Sequence, residues 1–438
     1  MPQSKERFLY SFMPHPTTMA FPQAAVPPMA RIRQSLSDEH IKNVRAELKK
    51  RLLESGQLDG VKADDKIAIT AGSRGMGGFV ELLKGIVDAV KSKGGEPFII
   101  PAMGSHGGAT EDGQTEILHR LGVDEDDIGA EIKATMATHA LGNVKTGAIA
   151  HLDDIAAQAD GIIVLGRTKT HPENRKGIAS GLLKMVTVGL GKQAGAQEAH
   201  THGLWDSVRY VPELTMAKAK ILCGVAVVEN GFHQPVEIEV VEPKYDAFKD
   251  SDERLLKVAQ PHVADLPFRQ LDLLIVDELG KDVSGTGMDL NVIGSWRMNG
   301  GKPEPDFRRI VVLSLTHASL GNGLGIGLAD FTTRRFVDQF DAEVTYVNLL
   351  TATEPDVMNT KEGLLPLALA SDKDAIATAL YSSLASAEGP RVCRIRNTSR
   401  LDEFWVSPAL LGELGSNSKF KVESQPALLK FNNQGNLF

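Results

Sequence analysis

The sequence predicts an α/β fold of two domains with mostly parallel sheets and an active-site cleft between them. Three observations lead there. Short apolar runs at 66–71 and 97–101 are each followed by a glycine-rich loop and a helical pattern, the order of strand-loop-helix units, and the run at 162–165 is followed by a basic loop. The run at 162–165 is apolar throughout, bounded by Gly161 and Gly166, as expected of a strand buried on both faces of a parallel sheet. The chain of 438 residues exceeds one ordinary core. Strand-like and helical patterns also begin afresh after a charged stretch at 249–262, so the domains are read as 1–265 and 266–438.

Composition narrows the class. Hydrophobic residues at 42% and charged residues at 24% are the proportions of a soluble globular protein with ample core material. A net charge of −8 argues against a broad nucleic-acid footprint, which needs concentrated positive surface to displace counterions. Cys223 and Cys393 are the two cysteines, far apart and without metal-ligand spacing, so neither a disulfide framework nor a zinc ribbon is expected. Neither a signal-peptide core nor an apolar stretch approaching the ~18 residues of a membrane span is present, and the cytoplasm is the expected compartment.

Residues 1–36, rich in Pro and Met, read as an extended arm of the first domain. The spacing Ile41, Val44, Leu48, Leu52 predicts an amphipathic helix over 37–53, capped by Ser37 or Asp38. The strand at 66–71 runs into Gly72-Ser73-Arg74-Gly-Met-Gly-Gly78 before a helix over 79–93. Such a turn aims backbone N–H groups and a helix N-terminus at an anion, and Arg74 adds a bidentate donor. Glycine turns also serve simple chain reversal. The strand at 97–101 leads to His106 in a glycine-flanked loop, then to a helix near 111 with Thr110 as cap.

After the strand at 162–165 come a basic loop over 167–176, with His171 before Pro172, and an apolar segment over 177–185 whose single charge, Lys184, is costly to bury unpaired. A second glycine turn, 189–191, opens a short helical segment ending at His200. Read without function, these are a basic surface loop, a snorkelling lysine and an exposed histidine. Further on, a helix is expected around 211–218 and a strand over 221–228, with His233 as a hydrogen-bonded structural residue. The second domain offers strand-like runs at 271–276, 310–315 and 344–349, a helix over 372–386, and glycine-dense loops at 280–289, with Lys281, and 317–330.

The order of Gly104-Ser-His106-Gly107, Lys169-Thr-His171-Pro172, Ser180-Gly181-Leu-Leu-Lys184-Met185 and the downstream His200 resembles the lactate racemase family, and more broadly the nickel-pincer nucleotide-dependent hydroxyacid racemases and epimerases. The signatures span about a hundred residues in the family's order. The resemblance implies an isomerase that inverts C2 of a 2-hydroxy acid through a 2-keto acid. It implies covalent attachment of the nickel-pincer nucleotide to Lys184, with His200 as nickel ligand and Ser73, Arg74 and Gly181 beside the cofactor. His106 and His171 take the places of two general bases on opposite faces of the substrate carbon. Arg74 and, from the other domain, Lys281 match cations for the substrate carboxylate.

Partners on this reading are a small 2-hydroxy acid and the cofactor-making enzymes, with no nucleic acid or membrane; a homo-oligomer is compatible with it. The family's turn carries an acid ahead of its arginine, whereas Ala71-Gly72-Ser73 precede Arg74 here. The alternative class is a nucleotide- or phosphate-binding protein using the loops at Gly72 and Gly104. A zinc hydrolase is disfavoured, because neither paired histidine spacing nor a nearby carboxylate accompanies the three histidines.

Overall fold

The computed structural model describes residues 21–169, 181–262, 264–352, 359–383, 389–415 and 417–437. They form two α/β units, one of residues 37–262 with 350–352, the other drawn from 21–36, 264–349 and 359–437. Strand β1 (Ala30–Gln34) falls in the second of these, so the described part of the arm groups with the C-terminal half rather than with the domain that follows it.

The N-terminal unit is built from β2 (Lys66–Ala71), β3 (Glu96–Pro101), β4 (Glu131–Ile132), a hairpin of β5 (Thr138–Asn143) and β6 (Ile149–Asp153), then β7 (Gly161–Arg167), β8 (Ile221–Glu229) and β9 (Pro235–Val241). Its main sheet runs β4-β3-β2-β7-β8-β9, parallel throughout except for the antiparallel β8–β9 edge. Successive residues serve opposite faces. Ile67, Ile69, Ile163 and Leu165 pack with the helices Val44–Glu54 and Phe79–Ser92. Ala68, Ile162 and Val164 pack with Leu182, Leu190, Val208, Phe248 and Leu255 on the other side. Both faces are thus dry, which is why these strands read as continuous apolar runs.

The C-terminal unit adds β10 (Gln270–Leu279), β11 (Asp306–Leu315), β12 (Phe331–Thr333), β13 (Leu367–Leu369), β14 (Val392–Asn397), β15 (Arg400–Val406) and β16 (Phe420–Val422). The order is β13-β12-β11-β10-β14-β15-β1-β16, parallel from β13 to β14 and antiparallel beyond. Ala30, Ile32 and Gln34 of β1 are buried while Arg31 and Arg33 are not, the period-2 pattern of a strand covered on one face.

Two local expectations are corrected. The first helix starts at Val44, not at 37, because the Asn43 side chain accepts from Ala46 N at 3.1 Å and so supplies the cap. The β-branched run 344–349 lies in a helix, Ala342–Thr351, rather than a strand. Asp341 Oδ1 accepts from Val344 N at 3.1 Å, and the Thr345 hydroxyl donates to Asp341 O at 2.6 Å, so local capping overrides strand propensity. Among the described residues no helix is long and apolar enough to cross a membrane.

Phe248 is fully buried beneath β8, where a side chain on Gly224 would run into its ring. Phe248→Ala should therefore cost about 3–5 kcal/mol in equilibrium urea unfolding; a loss under about 1 kcal/mol would mean that this ring does not anchor the helix Tyr245–Ala259 to the sheet.

Candidate functional site

The parallel strands β3, β2, β7 and β8 all end at one edge of the N-terminal sheet, and the loops leaving those ends carry the candidate residues. Open α/β sheets gather ligand groups at this edge, because backbone polar groups freed from the ladder and helix N-termini meet there. From β2 comes the turn with Ser73 and Arg74, both half-buried. The loop after β3 holds His106, half-buried and framed by Gly104, Gly107 and Gly108, all in the left-handed region. His171, which follows β7 in the sequence, lies outside the described residues, whereas Lys184 and His200 lie within them.

These loops touch. A methyl group built on Gly72 would sit 3.4 Å from Met185 Cε, next to Lys184. One on Gly104 would sit 3.6 Å from both Ala196 Cβ and Val188 O. Ala196 precedes His200 by one turn of the helix Lys192–Thr201, so the His106 loop packs on the helix that carries His200. The structure therefore brings the turn at Arg74, the loop at His106 and the Lys184–His200 segment to one place. Lys281 belongs to the C-terminal unit, where it is buried; its N–H donates to Ser319 Oγ at 2.8 Å and its amine donates to Gly285 O.

Lys184 ends the short helix Leu182–Lys184, which passes directly into a π-helical turn, Met185–Gly189. Leu190 N donates to Met185 O, five residues back, at 3.0 Å. Such widened turns are costly and recur at functional sites. The amine of Lys184 lies 5.4 Å from the ring centroid of Trp205, within cation–π range. Beneath the turn, Asp252 accepts from Leu182 N at 2.9 Å and Leu183 N at 3.1 Å, and Gly181 lies so close that a side chain there would meet the carboxylate. Burial pushes the Asp252 carboxyl up to about 7, against the pull of those two N–H donors.

Two buried ion pairs tie the edge together. Arg167, at the end of β7, donates to Glu229, at the end of β8, at 2.7 Å with both side chains largely buried. Glu229 also accepts from Gly77 N, which joins the glycine-rich turn to β8, and the backbone of His233 leaves no room for a side chain at Gly77. Burial pushes this carboxyl up, but Arg167, His233 and the Gly77 N–H outweigh it and hold it at about 2. His233 is thus a partner of Glu229.

The second pair is Lys192 with Asp153, 3.4 Å apart and both fully enclosed. Lys192 Nζ also donates to Pro101 O at 2.6 Å and to Gln114 Oε1 at 3.0 Å. Burial draws the lysine down and the aspartate up, each opposed by the other's charge.

Sequence reasoning passed over Lys192, Asp153, Gln114, Glu229 and Asp252. Asp252 did carry a signal: it lies four residues after Phe248 and three before Leu255, on the apolar stripe of its helix, where a carboxylate needs a partner. Among the described residues no group of three or more His, Cys, Asp or Glu could hold a metal ion.

Glu229 makes a pH prediction with a definite sign. Its carboxyl is held near 2 in the fold against an ordinary 4.5, so its stabilisation is complete above 4.5 and is lost as pH falls toward 2. Glu229→Gln should remove up to about 3 kcal/mol at neutral pH and flatten the acid limb of the stability profile. An unchanged limb in acid-unfolding titrations would refute the assignment.

Comparison of the chain with family models and with curated proteins finds no match in either.

Proposed function

We propose that the chain is a 2-hydroxyacid racemase or epimerase that uses a lysine-tethered nickel-pincer nucleotide. The carrying observation is that the loop of His106 packs on the segment running from Lys184 to His200, beside the turn of Arg74. An amine, an imidazole able to bind metal, a second imidazole and a guanidinium thus belong to one sheet edge.

The donor set fits such a group. A pincer ligand brings its own sulfur donors, so one imidazole suffices from the protein, and His200 is that imidazole. Lys184, half-buried on its widened turn, is the amine for the covalent link, and the Trp205 face limits where that amine can lie. Ser73, Arg74 and Gly181 line the cofactor on this reading, with Arg74 also available to the substrate carboxylate. When bound, the group supplies an electrophilic hydride acceptor.

The rest falls to side chains. The C2–H of a 2-hydroxy acid is a poor acid because the neighbouring carboxylate already carries charge, so loss of hydride to give a 2-keto acid is the easier route. An imidazole nitrogen of His106 takes the hydroxyl proton of one enantiomer, and a proton is given back to the oxygen from the other side to form its mirror image. Inversion requires a second base on the opposite face of C2, the role that falls to His171. Lys281 is the candidate second cation. The helix Lys192–Thr201 holds His200 in register, and misplacement by an ångström would cost about a hundredfold in rate.

The test is co-production with the cofactor-making enzymes. The purified wild type should carry stoichiometric nickel, an ultraviolet-visible cofactor band and a mass adduct, and should erode the optical purity of at least one acid in a panel of single-enantiomer 2-hydroxy acids. Lys184→Ala should lose the adduct. His106→Ala should lose racemisation while nickel stays bound. A wild type with neither nickel nor cofactor band, but with affinity for phosphate or nucleotide, would replace this reading with the anion-binding one.

A further inference from the structure

Among the described residues of the N-terminal unit, Lys192 carries an ammonium that is wholly enclosed and joins several elements. Lys192 Nζ reaches Pro101 O at the end of β3, Gln114 Oε1 on the helix Glu111–Arg120, and Asp153 Oδ2 at the end of β6. An ammonium has three protons to donate, and three acceptors from three elements surround it. Its own backbone adopts φ 53°, left-handed for a residue with a side chain, a conformation that persists only where the surroundings over-determine it.

Gln114 passes this constraint on. With its oxygen turned to the ammonium, its amide nitrogen must face the other way, and it donates to Gly104 O at 2.8 Å and His106 O at 3.2 Å. The two carbonyls belong to the loop that presents His106. Asp153 closes the frame: its Oδ1 caps the helix Asp154–Gln158, and its N–H donates to Leu190 O at 2.7 Å, just ahead of Lys192.

We propose that Lys192, through Gln114, is a positioning device that sets the place of the His106 imidazole relative to the helix bearing His200. The proposal rests on the racemase reading for its consequence, though not for its geometry. Lys192 starts the His200 helix and Gln114 grips the His106 loop, so a single chain of hydrogen bonds spans the distance from proton acceptor to metal ligand. Both side chains are fully buried.

Gln114→Glu tests it at nearly constant volume, since the new carboxyl can still accept from Lys192 while the amide donor that faced the two carbonyls is gone. The double variant Lys192→Met with Asp153→Asn removes both buried charges together and serves where the single change fails to fold. Two readouts are compared with wild type: amide hydrogen exchange over residues 103–109 in protein without cofactor, and racemisation kinetics with it. The expected result is faster exchange in that loop, with kcat lower by about a hundredfold and KM, nickel content and the Lys184 adduct unchanged.

Unchanged exchange and unchanged kcat in both variants would overturn the proposal. So would a rise in KM or a loss of nickel with kcat preserved, which would mark a general structural role. A wild type lacking nickel and adduct would sink the racemase reading alone. The exchange measurement would then still decide whether Lys192 and Gln114 fix the loop.

Discussion

A parallel sheet covered on both faces leaves polar chemistry only the ends of its strands. In the N-terminal unit every residue of β2 from Ile67 on, and of β7 from Gly161 to Gly166, is buried, so neither face can display an imidazole or an amine. The loops at the carboxyl edge inherit that task. Their crowding follows from strand spacing: neighbours about 4.8 Å apart bring successive loops into contact. Gly72 beside Met185 and Gly104 beside Ala196 are the contacts that result.

Loops rich in glycine do not hold themselves in place, and here buried charge holds them. Ion pairs in such surroundings seldom add net stability over a well-packed apolar substitute, because taking both charges out of water costs several kcal/mol each. What they add is direction. Glu229 binds the Arg74 turn to the end of β8 through Gly77, Asp252 fixes the first turn before Lys184 through two N–H groups, and Lys192 holds Gln114 against the His106 loop. The Arg74 turn, the Lys184 turn and the His106 loop thus each have a buried ionisable residue behind them. For a proposed hydride transfer, where rate falls steeply with misalignment, that is the arrangement the chemistry requires.

The elements themselves were largely legible. Apolar runs at 66–71, 97–101 and 221–228 became β2, β3 and β8, and Thr110 caps the helix Glu111–Arg120 as its position ahead of a polar first turn suggested. Misreadings came where local and tertiary signals disagreed. The run 344–349 has strand-forming residues but begins beside Asp341, whose side chain and carbonyl capture the helix start. Prolines point to an extended arm over 1–36, while the Ala30, Ile32, Gln34 alternation is the signal of the strand that it contains.

From the linear order of residues alone came the two-domain α/β class, the glycine-rich loops and the identity of His106, His171, Lys184 and His200 as candidates. The class and the loops are properties of nearest neighbours and periodicity, which the chain carries in itself; the four candidates came from the resemblance that their motifs carry. Folding decided which residues support the candidates. Lys192 and Asp153 are 39 residues apart in sequence and Gln114 and Lys192 are 78 apart, and nothing local distinguishes any of them from a solvated side chain. Only enclosure, which removes the water that would otherwise satisfy each charge, makes them choose one another.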